Sequence, residues 1–144
     1  MKREYPDRPL IGVGAIIIER GRALVIRRAT EPLKGEWSIP GGMLELGETL
    51  RTGVAREAKE ETGLEVVPLE VLDVYDRIVA DPDGRTRYHY VLIDYLCEVS
   101  GGELRAASDA SEVRWITEDE LKGFAIADSA EEVIRKGFDK VARS

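Results

Sequence analysis

Residues 12 to 19 read GVGAIIIE, an apolar and β-branched run without polar alternation. A strand with one wet face alternates apolar and polar side chains, so a run like this is expected as a buried strand. The rest of the fold has to cover it. The chain turns at Gly21, and ALVIR (23–27) is expected to run back as a second strand. Further on, LEVVPLEVLDVY and RIVA lead into DPDG (81–84) and then RTRYHYVLIDYLCEV (85–99), which reads as a long hairpin. Alternation in its second arm puts Val91, Ile93, Tyr95, Cys97 and Val99 on one face. EVRWI (112–116) is a last short strand. Thr49 to Thr62 supports a helix with Gly63 at the position that ends helices, and Leu50, Val54 and Ala58 give it a core-facing stripe. Thr117 with Glu120 and Asp128 with Glu131 have the form of capping boxes, the second opening an amphipathic helix through Val133, Ile134, Phe138 and Val141. The expected class is α/β, with helices packed on a mixed sheet.

A chain of 144 residues is most simply one domain, 1–144, with 1–9 as a flexible or pairing N-terminal segment. At 43% hydrophobic and 34% charged it has the composition of a globular protein rather than a disordered one. No uncharged apolar run approaches the roughly 18 residues of a membrane span, and MKREYPDRPL lacks the apolar centre of a signal peptide. Cys97 is the one cysteine, which excludes an internal disulfide. A cytoplasmic location is therefore expected. The net charge of -7 argues against a surface that coats nucleic acid. It leaves room for a phosphate-bearing small molecule, provided that a metal and local arginines reverse the sign.

Residues 29 to 48 contain Pro32, Pro40 and four glycines, too broken for a regular element. A loop of that length inside a compact domain is usually functional. The helix after it carries Glu57, Glu60 and Glu61, three and four apart, with their carboxylates on one side. Like charges at that spacing cost a few tenths of a kcal/mol per pair, so helix stability does not ask for them. Three carboxylates on one helical face do form a hard-oxygen site suited to Mg²⁺ or Mn²⁺, whose charge removes the repulsion.

The stretch from Gly42 to Leu64 has Gly42, five residues, Glu48, seven residues, then Arg56-Glu57-Ala58-Lys59-Glu60-Glu61-Thr62-Gly63-Leu64. This resembles the Nudix box, G-x5-E-x7-R-E-U-x-E-E-x-G-U, where U is a bulky apolar residue. All seven fixed letters stand at the right spacing, and only Ala58 is small for its place. With each letter at roughly 5–7% of residues, a chance match arises about once in 10⁸ to 10⁹ windows. The order of strands before the box, and of hairpin and helix after it, also follows the Nudix pattern.

The resemblance implies an α/β/α sandwich with a mixed sheet, a catalytic loop–helix and a C-terminal helix. It also implies a Mg²⁺-dependent hydrolase, with Mn²⁺ as a possible substitute, in which Glu57, Glu60, Glu61 and the carbonyl of Gly41 hold the metal. Such ions polarise a phosphoryl oxygen, activate water and steady the leaving phosphate. Arg56 is expected to hold Glu48 or Glu57 in place by bidentate hydrogen bonds. Glu112, just before Arg114 and Trp115, lies where many such enzymes carry a further metal-binding or basic acid, and Asp109 is a weaker candidate for the same role.

For substrate contacts the sequence leaves two readings of each candidate. Arg27 and Arg28 end the second strand and either meet phosphates or are solvated. Trp37 either packs under the loop or stacks on a base. His89 is either a hydrogen-bonded structural histidine or a cleft residue. The whole chain resembles most the small ADP-ribose pyrophosphatase-like members, which implies a nucleotide substrate cleaved to AMP and ribose 5-phosphate. The alternatives are a house-cleaning nucleoside triphosphate pyrophosphohydrolase and, from another class, a Nudix-like nucleotide-sensing module. Family members are often homodimers, so the resemblance leaves that assembly open.

Overall fold

The computed structural model describes residues 2–29, 34–106 and 110–143. In chain order they form β1 (Leu10–Glu19), β2 (Arg22–Arg28), β3 (Trp37–Ser38), β4 (Gly41–Met43), α1 (Leu50–Thr62), β5 (Leu64–Ala80), β6 (Thr86–Gly102), β7 (Ala110–Ile116) and α2 (Asp128–Arg143). A 3₁₀ turn at Glu118–Gly123 precedes α2. The sheet runs β3-β2-β1-β6-β5, with β4 also on β1 and β7 on β2. β1 and β6 are parallel from Leu10↔Tyr90 to Ile17↔Cys97, and the other pairs are antiparallel. The sheet is mixed, as expected.

β1 lacks polar alternation because both its faces are covered. Val13, Ala15 and Ile17 pack with Val54 and Ala58 of α1 and with Ile93, Tyr95 and Cys97 of β6. Ile16 and Ile18 point the other way, onto Val133 and Ile134 of α2 and Leu121. Helix, sheet and helix are thus three layers with a core on each side of the sheet. The face expected for Val91, Ile93, Tyr95, Cys97 and Val99 is the one turned to α1. The α2 stripe holds for Val133, Ile134 and Phe138, whereas Val141 is 41% exposed near the helix end. Of the two expected capping boxes, the first forms and the second does not. Thr117 and Glu120 bond as a capping box, the Thr117 amide donating to the Glu120 carboxylate at 2.9 Å, but they open the 3₁₀ turn. At α2 the Glu131 amide donates to the carbonyl of Ala127 at 3.0 Å, so Asp128 lies inside the first turn. There its charge favours the helix N-terminus without capping it.

The stretch 29–48 holds more structure than expected. β1 and β2 pair only at Ile18↔Ala23 and Glu19↔Arg22, around a turn whose Arg20 and Gly21 both have positive φ. Beyond that point they part, and the stretch fills the gap. β3 lies on β2 at Ile26↔Ser38, and β4 lies on β1 at Gly14↔Gly41. The Ala15 amide donates to the Pro40 carbonyl at 2.8 Å and the Leu44 amide to Ile11 at 2.9 Å. At Gly41 a Cβ would collide with the Val13 carbonyl, so the close approach needs glycine. β5 is an edge strand of the sheet and carries Pro68 and register shifts at Pro68/Glu70 and Val71/Asp73, features that bend an edge away from further pairing.

Candidate active site

α1 is capped at its start by Thr49, whose hydroxyl accepts from the Thr52 amide at 3.2 Å, and at its end by Gly63 with φ of 77°. Its inner side buries Val54, Ala58 and Thr62, which turns Arg56, Glu57, Glu60 and Glu61 toward β4 and the Gly47 turn. Arg56 is the hub of this face. Its Nε and Nη2 donate to the two carboxylate oxygens of Glu48 at 2.6 and 2.9 Å. Nη1 reaches Glu57 at 2.8 Å and Glu60 at 3.4 Å, and Nη2 also donates to the Met43 carbonyl at 3.0 Å. The carboxylates that would repel on a bare helix therefore share one guanidinium. That pairing holds the Glu48 carboxyl down at about 2 and pushes the Arg56 guanidinium further up. Glu57 goes the other way, because burial outweighs the Arg56 bond and raises its pKa.

Glu61 is only 6% exposed, and the backbone amide of Gly41 donates to it at 2.7 Å. Gly42 sits against Glu57 so closely that a Cβ there would lie 2.5 Å from the carboxylate. Together these groups line a cleft of about 520 Å³ formed by Arg3, Arg28, residues 41–46, Arg56, Glu57, Glu60 and Glu61. A cleft of about 560 Å³ on the other flank of α1 has Glu65 as its one acid and shares only Arg56 with the first. It lacks the acidic face.

The remaining expected site residues lie elsewhere. Register puts Arg27 opposite Glu112, and they pair at 3.4 Å, with Arg27 also donating to the Gly35 carbonyl at 3.1 Å and Glu112 also meeting Arg114 at 3.4 Å. Neither lines the acidic cleft, whereas the neighbouring Arg28 does. Trp37 takes the packing role: its ring meets Phe124 edge-on at 5.1 Å and joins the α2-side core. His89 stands opposite Ile78 in the hairpin, half-buried and outside the cleft. Asp109 lies outside the described residues.

Two features escaped the sequence reading. Arg3, from the N-terminal segment, reaches the cleft. Asp94 is the other: it is 2% exposed on β6, its Oδ2 has no hydrogen-bond partner, and Gly14 on β1 leaves it space that a Cβ would close. The signal was an acid inside the apolar run VLIDYL. Burial pushes its carboxyl up to about 6, outweighing the opposing effect of the Tyr75 hydroxyl. The fold thus binds a proton more tightly than the unfolded chain, so this group's contribution falls as pH rises from the ordinary 3.8 through 6. Asp94→Asn is neutral throughout. It should raise stability at pH 8 by about 1–3 kcal/mol, a few degrees in Tm, with the gain shrinking toward pH 4. A variant less stable than the parent at pH 8 would show that the ionised carboxylate is needed.

Comparison with known proteins agrees with this fold. The sequence model of the NUDIX domain matches residues 8–137. The chain is 40% identical over 107 residues to an ADP-ribose pyrophosphatase of Methanocaldococcus jannaschii, covering 74% of this chain and 61% of that protein. It is 43% identical over 108 residues to a MutT-like protein of Streptomyces ambofaciens, covering 75% and 63%. The chain thus spans about three fifths of the length of these relatives. Among solved structures, a MutT NUDIX hydrolase from Burkholderia pseudomallei superposes with a TM-score of 0.75 at 28% identity, covering 90% of this chain and 98% of that one. Among the described residues, no helix is long and apolar enough to cross a membrane.

Proposed function

The chain belongs to the NUDIX family, and on that premise we propose that it hydrolyses the diphosphate bond of a nucleoside diphosphate joined to a second group. The preferred substrate in this reading is ADP-ribose, cleaved to AMP and ribose 5-phosphate in the presence of Mg²⁺. The observation that carries it is the single cleft in which the acids of α1 face the backbone of Gly41 and Gly42.

The donor set suits a hard divalent ion, since Glu57, Glu60, Glu61 and the Gly41 carbonyl supply oxygen only. Among the described residues, no three acids stand at ligating separation as placed. The cause is visible: Glu57 and Glu60 are drawn to Arg56, and Glu61 to the Gly41 amide. These side chains have to turn from those partners to hold an ion. The missing Cβ of Gly42 is what lets the Glu57 carboxylate lie against that backbone. A bound divalent ion supplies charge that polarises a phosphoryl oxygen and stabilises the leaving phosphate. Arg56 and Glu48, locked to each other, fix the helix face on which the acids stand and need not move. Arg28 supplies positive charge at the cleft wall for the substrate's phosphates.

The substrate choice is supported by the relative named as an ADP-ribose pyrophosphatase. Metal and acids specify the bond that breaks, whereas the flanking groups are selected by the cleft walls. The kcat/KM for ADP-ribose is expected to exceed that for dATP, dCTP, 8-oxo-dGTP and diadenosine tetraphosphate by at least about tenfold, roughly 1.4 kcal/mol of differential transition-state binding. A triphosphate at the head of that panel would replace the ADP-ribose reading.

A further inference from the structure

The N-terminal segment is tied to the far hairpin. The Tyr5 hydroxyl donates to Asp81 Oδ2 at 2.8 Å, and the Tyr5 amide donates to the Arg87 carbonyl at 2.7 Å. Arg87 Nε donates to Glu4 at 2.7 Å, and the Arg85 guanidinium lies over the Tyr5 ring, 4.5 Å from its centroid. Asp81 serves both parts. Its Oδ1 accepts from the amides of Asp83 and Arg85, each at 2.9 Å, and so shapes the hairpin turn, while Oδ2 holds the strap. Tyr5 has φ of 51°, a left-handed conformation that a bulky residue adopts only when its surroundings hold it there.

Two residues upstream, this strap delivers Arg3 into the wall of the acidic cleft, where its charge acts on Glu57. The other cations of the cleft are differently placed. Arg56 is saturated by Glu48, Glu57 and the Met43 carbonyl. Among the described residues, the Arg3 guanidinium makes no hydrogen bond and no ion pair within 4 Å. A five-donor cation held near three carboxylates without a bonded partner has its hydrogen-bonding capacity available.

We propose that Arg3 binds the substrate's diphosphate by charge-assisted hydrogen bonds to its phosphoryl oxygens, and that Tyr5 is the positioning residue that holds it at the cleft. The inference rests on reading the cleft as a diphosphate site. The acids hold positive charge on one side, the strap brings a guanidinium to the other, and an anionic group fits between them. A protein of net charge -7 needs such local cations for an anionic substrate.

The test uses the full chain, saturating Mg²⁺ and the nucleotide with the highest kcat/KM. Arg3→Ala is expected to raise KM about tenfold with kcat changed less than about threefold, and Arg3→Lys to recover part of the loss. Tyr5→Phe, which removes only the hydroxyl donated to Asp81, should raise KM in the same direction by a smaller factor. Combined with Arg3→Ala it should add nothing, because the strap then has no guanidinium to place. An unchanged KM in Arg3→Ala, or a double variant worse than Arg3→Ala by the full Tyr5→Phe factor, would overturn the assignment. Calorimetric binding of inorganic pyrophosphate with Mg²⁺ separates this outcome from the choice of nucleotide, since that ligand has no nucleoside. Weaker binding to Arg3→Ala supports the proposal even where ADP-ribose proves a poor substrate. Equal affinity, including no measurable binding to either protein, counts against it.

Discussion

Glu57→Gln, Glu60→Gln and Glu61→Gln should each lower kcat by at least about a hundredfold, roughly 2.7 kcal/mol of lost transition-state stabilisation. Each substitution keeps the side chain's size and removes one charged oxygen donor from a face that otherwise offers only two. Folding should survive. Burial opposes the ionised form of Glu57, so a neutral amide relieves that penalty while its oxygen still accepts from Arg56. Gln at 61 still presents an oxygen to the Gly41 amide, and Glu60 is half exposed with a 3.4 Å contact to Arg56. In chelator the three variants should melt within about 3 °C of the parent or above it, since they relieve repulsion along the helix. Near-native kcat in any two of them would move the catalytic centre elsewhere. A uniform drop in Tm would instead give the acids a structural role.

Arg56→Ala should be the most destabilising change in the cleft, by about 2–3 kcal/mol, or roughly 5–10 °C in Tm. It strands Glu48, whose side chain is 9% exposed and takes both of its short bonds from the guanidinium, and it leaves Glu57 and Glu60 facing each other without the guanidinium they share. The pH dependence distinguishes this from simple loss of packing. With its pKa at about 2, Glu48 contributes stability that is fully present above the ordinary 4.5 and is lost as pH falls toward 2. The gap in Tm between parent and variant should therefore be widest near neutrality and narrow between pH 4 and 2. A gap independent of pH would mean that Arg56 acts through its aliphatic stem. Catalysis should fall as well, because the acids lose the group that orients them.

The elements legible in the sequence were those with a long periodic or capped signature. β1 could be read as buried because seven successive residues from Gly12 to Ile18 carry no polar side chain, and the helix because Thr49 and Gly63 bracket a stripe that fits one face. The 17-residue strands of the hairpin announced themselves around DPDG. β3 and β4 did not, since two or three residues hold no period, and their pairing arises only where β1 and β2 part. Within the site, spacing along one helix placed the glutamates together, and the bidentate partnership of Arg56 with Glu48 followed from the same stretch. Contacts between distant segments were out of reach. Arg27 faces Glu112 through strand register, Trp37 finds Phe124 across 87 residues, and Arg3 reaches the cleft only because Tyr5 is bonded to a turn 76 residues away. Such meetings are set by tertiary packing, which no local pattern encodes.

We propose that the acidic face of α1 with Gly41 and Gly42 is a metal-dependent diphosphate-cleaving centre. Phosphorus NMR of ADP-ribose incubated with the protein tests it most directly. With Mg²⁺ the diphosphate resonances should give way to those of AMP and ribose 5-phosphate alone, the reaction should stop on addition of chelator, and Glu57→Gln should leave the spectrum unchanged over the same time. Cleavage that continues in chelator, or at the parent rate in Glu57→Gln, would place the catalytic centre elsewhere.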